Sequence, residues 1–351
     1  MKIVFVYWGY ENAGSMLDLR GYTRAAKAMG HEAHVYGPRD WASGLDYSKS
    51  LSGADAVVFV VEWTTALQFG DNLDWLRLLD SVPRERRLII DCDGHYNEPI
   101  WFMGDYNHRS LQSSAEWIDF CDSLSDKIFQ PTCRPRRKNV RPFLFHIYDP
   151  GWESPIATGR KKPFDMIYVG HTKHRWRGMF KVFKAIEKVR DKVGRVGLVG
   201  EGWGDVIDWM EQGEAKAKHY VDRAYMQAHR FEGLPAVPFN EVAATIEKGV
   251  FNPVVYRPVF EQLGFVTCRT FETPASGTIP LLLLNRDYVV DVFGERATEL
   301  MISGEEDSDK ILDVLDRPHH YAEIVMEIRK DFRERHSPEA RLRELIGYIR
   351  E

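Results

Sequence analysis

Residues 266–280, Val-Thr-Cys-Arg-Thr-Phe-Glu-Thr-Pro-Ala-Ser-Gly-Thr-Ile-Pro, hold the side chains whose types and spacing point most directly to chemistry. One helical turn places Arg269 and Glu272 on the same face. The small residues Ala275, Ser276 and Gly277 then turn the chain into the apolar run Ile279–Leu284. A cation beside a carboxylate suits a ligand that carries both a phosphate and a diol, as a sugar nucleotide does. Taken alone, an R-x-x-E pair is more often an ordinary ion pair on a helix surface, so its surroundings must decide.

Two further strand ends supply that context. The run Phe164–Val169 reads as a strand that ends at Gly170 and is followed by His171, Thr172, Lys173, His174, Arg175, Trp176 and Arg177 before a helix begins near Gly178. Amide groups and the helix dipole favour an anion at such a junction. Lys173 and Arg177 would add charge-assisted hydrogen bonds to a diphosphate; a solvated charged loop is the alternative. The strand Gly194–Val199 ends at Gly200, Glu201, Gly202 and Trp203. Glycines there allow close approach of a ligand to the backbone, and Trp203 either lies against a base or packs the lobe.

These features sit on alternating strands and helices. Lys2–Tyr7, a loop from Gly9 to Ser15, a helix from Leu17 to Met29 and a strand at Ala33–Tyr36 read as an opening βαβ unit. Strands at Ala56–Val61, Arg87–Asp91, Ile128–Gln130 and Phe143–His146 follow, with a helix in the 70s. Residues 131–163, rich in Pro, Arg, Lys and Gly, read as a connector. The pattern then restarts: a strand at Phe164–Val169, a helix at Arg177–Lys192, a strand at Gly194–Val199, a helix at Asn240–Lys248 and a strand at Val250–Tyr256. A helix at Phe271–Ser276, a strand at Ile279–Leu284, a helix at Asp309–Asp316 and terminal helices complete it. The expected fold is α/β: two doubly wound, Rossmann-like lobes with a cleft between them, residues 1–155 and 156–334, with the helix at about 335–351 able to pack back on the first lobe.

Composition sets the bounds. The chain has 351 residues, 44% hydrophobic and 28% charged, with a formal net charge of −5. This is ordinary globular material with no global attraction for nucleic acid or anionic membrane. The cysteines Cys92, Cys121, Cys133 and Cys268 show no C-x-x-C spacing and read as neither a zinc site nor a disulfide framework. A reduced, cytoplasmic setting is the expectation, with no signal peptide and no apolar run long enough to span a membrane.

The succession of strand ends resembles the C-terminal lobe of GT-B glycosyltransferases. Its Arg269-Thr-Phe-Glu272-Thr-Pro-Ala-Ser-Gly stretch is similar to the R-x-F-E-x-x-A-x-G ending of spore-maturation-type members, and the lobe also resembles phage-type DNA β-glucosyltransferases. The resemblance covers residues 164–290. It implies the GT-B fold and a donor site for a nucleoside diphosphate sugar, a UDP-sugar above all. Lys173 and Arg177 take the places of two diphosphate-holding basic residues, Lys replacing Arg, and Glu272 that of a carboxylate on the ribose hydroxyls. Arg269 lies close to the phosphates, and Gly170, Gly200 and Trp203 line the site. One departure stands out: retaining members carry an acidic residue eight positions before the second Glu, and Gly264 occupies that position.

The resemblance gives the first lobe the acceptor and the base. Asp91, Cys92, Asp93, Gly94 and His95 end the strand Arg87–Asp91. An inverting transfer needs a base for the acceptor proton, with Asp93 the first candidate and Asp91 the second; His95 orients a carboxylate or contacts the sugar. The D-x-D spacing also fits a divalent metal, but a basic diphosphate loop replaces one, so no metal and no cofactor are expected. Gly14 and Ser15, in the loop after the first strand, would donate to phosphate or sugar, and Glu62, Trp63, Tyr96 and Asn97 would line an acceptor pocket. The basic run Arg134–Arg141 reads as a solvated loop rather than a DNA contact. The expected activity is transfer from the sugar nucleotide to an acceptor hydroxyl or amine on a small molecule, glycan or nucleic acid. A DNA hydroxymethyl-base glucosyltransferase, a sugar-nucleotide epimerase and a non-catalytic nucleotide-sugar binder are the alternatives.

Overall fold

The computed structural model describes residues 1–7, 14–36, 51, 53–62, 82–102, 105–106, 111–156, 158 and 161–351. Trp63, the 8–13 loop and the helix expected in the 70s lie outside them. The chain forms two α/β units: unit 1 is Met1–Tyr148, Gln262–Cys268 and Glu334–Glu351, and unit 2 is Asp149–Glu261 and Arg269–Arg333.

Unit 1 is built on six parallel strands: β1 (Lys2–Val6), β2 (Glu32–Tyr36), β3 (Ala56–Val61), β4 (Arg87–Asp91), β5 (Lys127–Gln130) and β6 (Val140–Pro142). Their order in the sheet is β2-β1-β3-β4-β5-β6. The central strand β3, Ala-Val-Val-Phe-Val-Val, is buried along its whole length, the pattern of a strand covered on both faces. Helix α1 (Gly14–Ala28) connects β1 to β2, and α2 (Leu111–Leu124) precedes β5.

Two expectations need correcting here. The 131–148 stretch is no connector, because β5 runs on to pair with β6. The strand lies at Val140–Pro142 rather than Phe143–His146; Phe145 instead stacks on Tyr22 of α1, whose hydroxyl donates to the Phe145 carbonyl at 2.8 Å. The segment Gln262–Cys268 also belongs to unit 1, through Val266 N–H to the Pro131 carbonyl and Thr132 Oγ1 to the Leu263 carbonyl.

Unit 2 has five parallel strands: β7 (Phe164–Val169), β8 (Val196–Val199), β9 (Phe231–Leu234), β10 (Gly249–Val254) and β11 (Ile279–Leu282), in the order β9-β8-β7-β10-β11. The edge strand β9 carries no clear sequence signal, being short and half-exposed. Helix α3 (Trp176–Glu187) follows β7, α4 (Cys268–Ala275) precedes β11, and α5 (Pro318–His336) and α6 (Pro338–Arg350) close the chain. Helix α6 packs on α1, where Gly21 leaves room for Ile147 and Pro338.

In both sheets the winding direction reverses beside the first strand. The neighbours of β1 are β2 and β3, and those of β7 are β8 and β10. Ligands of doubly wound sheets bind at such reversals, outside the carboxyl ends of the strands. In unit 2 the sequence widens this point. Pro253 lies in β10 and has no N–H to give to a neighbour. Pairing with β7 stops at Phe251 and Met166, and the Asn252 side chain donates to the Ile167 carbonyl at 2.6 Å instead.

Candidate active site

The reversal point of unit 2 is cationic. Thr172, fully buried, donates its N–H to the Glu201 carbonyl, and Arg175 N–H bonds the Thr172 carbonyl. His174 takes a left-handed backbone, φ 54°, and its N–H reaches the Lys218 carbonyl at 2.6 Å. The loop is thereby tied to the segment that ends at His219. Arg175 donates from Nε to the Tyr168 hydroxyl at 3.0 Å, while its buried Nη1 finds no hydrogen-bond acceptor among the described residues.

Arg257 follows β10 and adds its charge. Burial, then Arg175 and Arg257, push His171 well below the usual imidazole range; His219 and Lys173 add to this. Burial, Lys173, Arg257 and Lys218 lower His219 to about 4. Burial lowers both imidazoles first, and the cations that add to it, Lys173, Arg175, Lys218 and Arg257, make a region of positive potential that favours an anion.

Helix α4 carries the R-x-x-E pair. Glu272 is buried, and Arg269 Nη1 lies 3.3 Å from its Oε2. The carboxyl end of α4 is held by Arg329, 3% exposed, which donates to the Pro274, Ala275 and Ser154 carbonyls at 2.8–3.1 Å. Gly277, at φ 68°, ends the helix where a Cβ would lie 2.7 Å from the Pro155 carbonyl oxygen. Near the other end, Thr270 and Tyr288 hydrogen-bond the Tyr256 hydroxyl, seating α4 against the end of β10.

The reversal point of unit 1 is acidic. Glu62, one residue past β3, accepts from the Tyr7 hydroxyl at 3.0 Å and from the Ser15 hydroxyl. Burial first, then the charge of Asp93, raise the Glu62 carboxyl to about 7, against the opposing hydrogen bonds and the His146 ring. His146 itself bonds Asp18 at 2.6 Å. A buried Glu62 raised in this way holds its proton over a range in which an isolated carboxyl is ionised.

Several site expectations change. Asp91 is fully buried and accepts from His95 N–H, Tyr96 N–H and Gln130 Nε2 at 2.8–2.9 Å, which makes it the anchor of the turn rather than a base. Burial nonetheless lifts it to about 6. His95 stacks flat on Trp117, centroids 4.3 Å apart. Tyr96 is buried, its hydroxyl bonded to Asp122 and Asn139, so it cannot line an open pocket. Asn97 is likewise buried, its amide on the Gly94 carbonyl. Ser15 gives its hydroxyl to Glu62 rather than to a phosphate, and Gly14 starts α1.

Trp203 is 1% exposed and donates to the Gly170 carbonyl at 2.7 Å, so its ring is no platform for a base. Gly170 and Gly200 serve a backbone approach: a Cβ on Gly200 would sit 2.3 Å from the Gly170 oxygen. Lys173 joins the cation group, whereas exposed Arg177 faces Glu261 alongside Lys181. Gly264 has φ 62° in the segment bonded to Thr132, a backbone that disfavours an acidic residue there. In the basic run, Arg137 pairs with Glu98 and lies over Tyr96, while Arg141 pairs with Glu351 and lies over Tyr348. Arg175, Arg257, His171 and His219 were missed as site residues. The first three follow strands β7 and β10, and that position was their available signal.

Residues 180–347 match the family described as glycosyl transferase-like. The match begins inside α3, so it includes His219, Arg257, Arg269 and Glu272 but not His171–Arg177. Similar solved structures include an α-glucosyltransferase in complex with UDP, 11% identical over 100% of this chain and 99% of that one, TM-score 0.64. Another is T4 phage β-glucosyltransferase with its UDP-glucose substrate, 10% identical over 99% of both chains, TM-score 0.56. This chain has the GT-B fold, and its residues 180–347 are similar to glycosyl transferase-like domains. A third similar structure is an α-glucosyltransferase with UDP and a 13-mer DNA containing an HMU base, 12% identical over 100% and 99%, TM-score 0.60. No curated protein matches the chain in sequence. Among the described residues, no helix is long and apolar enough to cross a membrane.

Proposed function

We propose that this glycosyl transferase-like chain moves a sugar from a UDP-sugar to an acceptor hydroxyl or amine. The observation that carries the reading is the cation group at the β7–β10 reversal: Lys173, Arg175 and Arg257 around two neutral imidazoles. In the transfer, the acceptor oxygen or nitrogen bonds the anomeric carbon as the carbon–phosphate oxygen bond breaks. UDP leaves with the bonding electrons, and the cations stabilise its growing charge. Glu272 holds the ribose hydroxyls, with Arg269 orienting it. Asp93 is the proposed base for the acceptor proton, with its charge felt by Glu62.

UDP is favoured as the nucleotide because similar structures hold UDP or UDP-glucose. The cations take the place of a metal in this reading, although one T4 phage β-glucosyltransferase structure contains UDP and Mn2+. Widely spaced cysteines suit a cytoplasmic setting. The DNA-acceptor reading draws on the DNA-bound neighbour, but Arg137 and Arg141 are already engaged by carboxylates and rings.

Calorimetric titration with UDP-glucose, other UDP-sugars and GDP-sugars tests the donor site. Micromolar to millimolar binding of a UDP-sugar is expected, weakened by roughly 10–100-fold in Arg257→Ala. Failure of every sugar nucleotide to bind would overturn the reading. Salt-sensitive binding of hydroxymethylated DNA would move the acceptor to the nucleic-acid alternative.

A further inference from the structure

The two imidazoles in the cation group differ in what they can do with a proton. His171 Nδ1 accepts the Lys173 backbone N–H at 3.2 Å. A backbone amide only donates, so this nitrogen keeps its lone pair and the ring's one proton is on Nε2. Adding a second proton would break that bond. His219 Nδ1 instead faces Thr172 Oγ1 at 3.0 Å. A hydroxyl can donate to a neutral ring or accept from a charged one, so Thr172 serves either state.

His219 is also placed to feel a bound anion. Lys173 comes from the β7 loop, Arg257 from the end of β10 and Lys218 from its own segment; all three repel a charged ring. Lys218 is itself paired with Glu214 at 2.9 Å. The His171 ring lies 6.4 Å away, and Trp209 packs edge-on at 5.0 Å. The His174–Lys218 backbone bond holds this segment against the loop.

We propose that His219 is a diphosphate ligand of the donor site that takes up one proton as the donor binds, while His171 stays neutral. The inference rests on the donor-site reading above. Without an anion, burial first and then the three cations keep His219 neutral to about pH 4. A diphosphate offsets their charge and favours the imidazolium. The proton comes from solvent, and the Thr172 hydroxyl turns from donor to acceptor. Donor affinity therefore rises as pH falls, by up to about tenfold per unit, between the raised bound value and the low free one.

The test is calorimetric titration of the full chain with UDP-glucose near pH 6, in buffers of different ionisation heat. The diphosphate of UDP-glucose has no proton to exchange there, so net uptake belongs to the protein. The wild type should take up close to one proton per donor, and His219→Asn, which keeps an amide for Thr172, should take up none and lose the pH slope. The imidazole NMR signals of the wild type give a second measure that needs no variant: one ring should titrate at higher pH with donor present. Binding without uptake, or undiminished uptake in His219→Asn, overturns the inference and leaves the donor site standing. No binding of UDP-glucose at any pH removes both.

Discussion

The two reversal points share a topology and oppose each other in charge. At β1 and β3 the strand ends offer Tyr7, Glu62 and, one strand on, Asp93; burial there raises carboxyls. At β7 and β10 they offer His171, Lys173, Arg175 and Arg257; burial there, reinforced by the cations, lowers imidazoles. Parallel sheets place whatever follows a strand at the same kind of position. The side chains set there, rather than the winding, decide whether it handles a proton or an anion.

The largest way to separate the two regions is Asp93→Asn. Loss of a general base should lower kcat by roughly 10²–10⁴-fold, with UDP-sugar affinity within twofold of wild type; single-turnover kinetics and calorimetry check both. An equal loss of donor affinity would merge the two roles. Lys173→Ala or Arg257→Ala should do the reverse, weakening UDP binding by roughly 10–100-fold through loss of a charge-assisted hydrogen bond. The deficit should shrink at high salt.

Stability sharpens the contrast, with opposite signs. The folded Glu62 carboxyl is raised above its unfolded value, so the folded state holds more protons between about pH 4.5 and 7, and stability falls as pH rises through that window. Glu62→Gln should remove that slope and gain up to about 2 kcal/mol at pH 8, read from urea midpoints. His219 is lowered, so its contribution has the other sign: stability is lost as pH falls from 6.5 towards 4. His219→Asn should flatten that limb alone. The smallest effect is expected from Trp203→Phe, which loses the bond to the Gly170 carbonyl, about 1 kcal/mol of stability, with UDP affinity unchanged. A tenfold loss of affinity would restore a stacking role for this ring.

Sequence order alone carried the alternation of strands and helices, because buried parallel strands are continuous apolar runs. Ala56–Val61, Arg87–Asp91 and Phe164–Val169 coincide with β3, β4 and β7. It also singled out the R-x-x-E pair and the basic loop, whose chemistry is local to a few residues. Tertiary structure decided which members of those groups meet. Asp91 and Trp203 carry attractive chemistry in the sequence, yet hydrogen bonds to distant residues turn them into supports. Glu62 looked like a lining residue until Asp93, Ser15 and Tyr7 closed around it. His219, 48 positions after His171, joined the site only through the fold. Spacing along a chain fixes what one turn of helix or one strand end presents, whereas burial and long-range pairing set charge state, and these exist only once the sheets have formed.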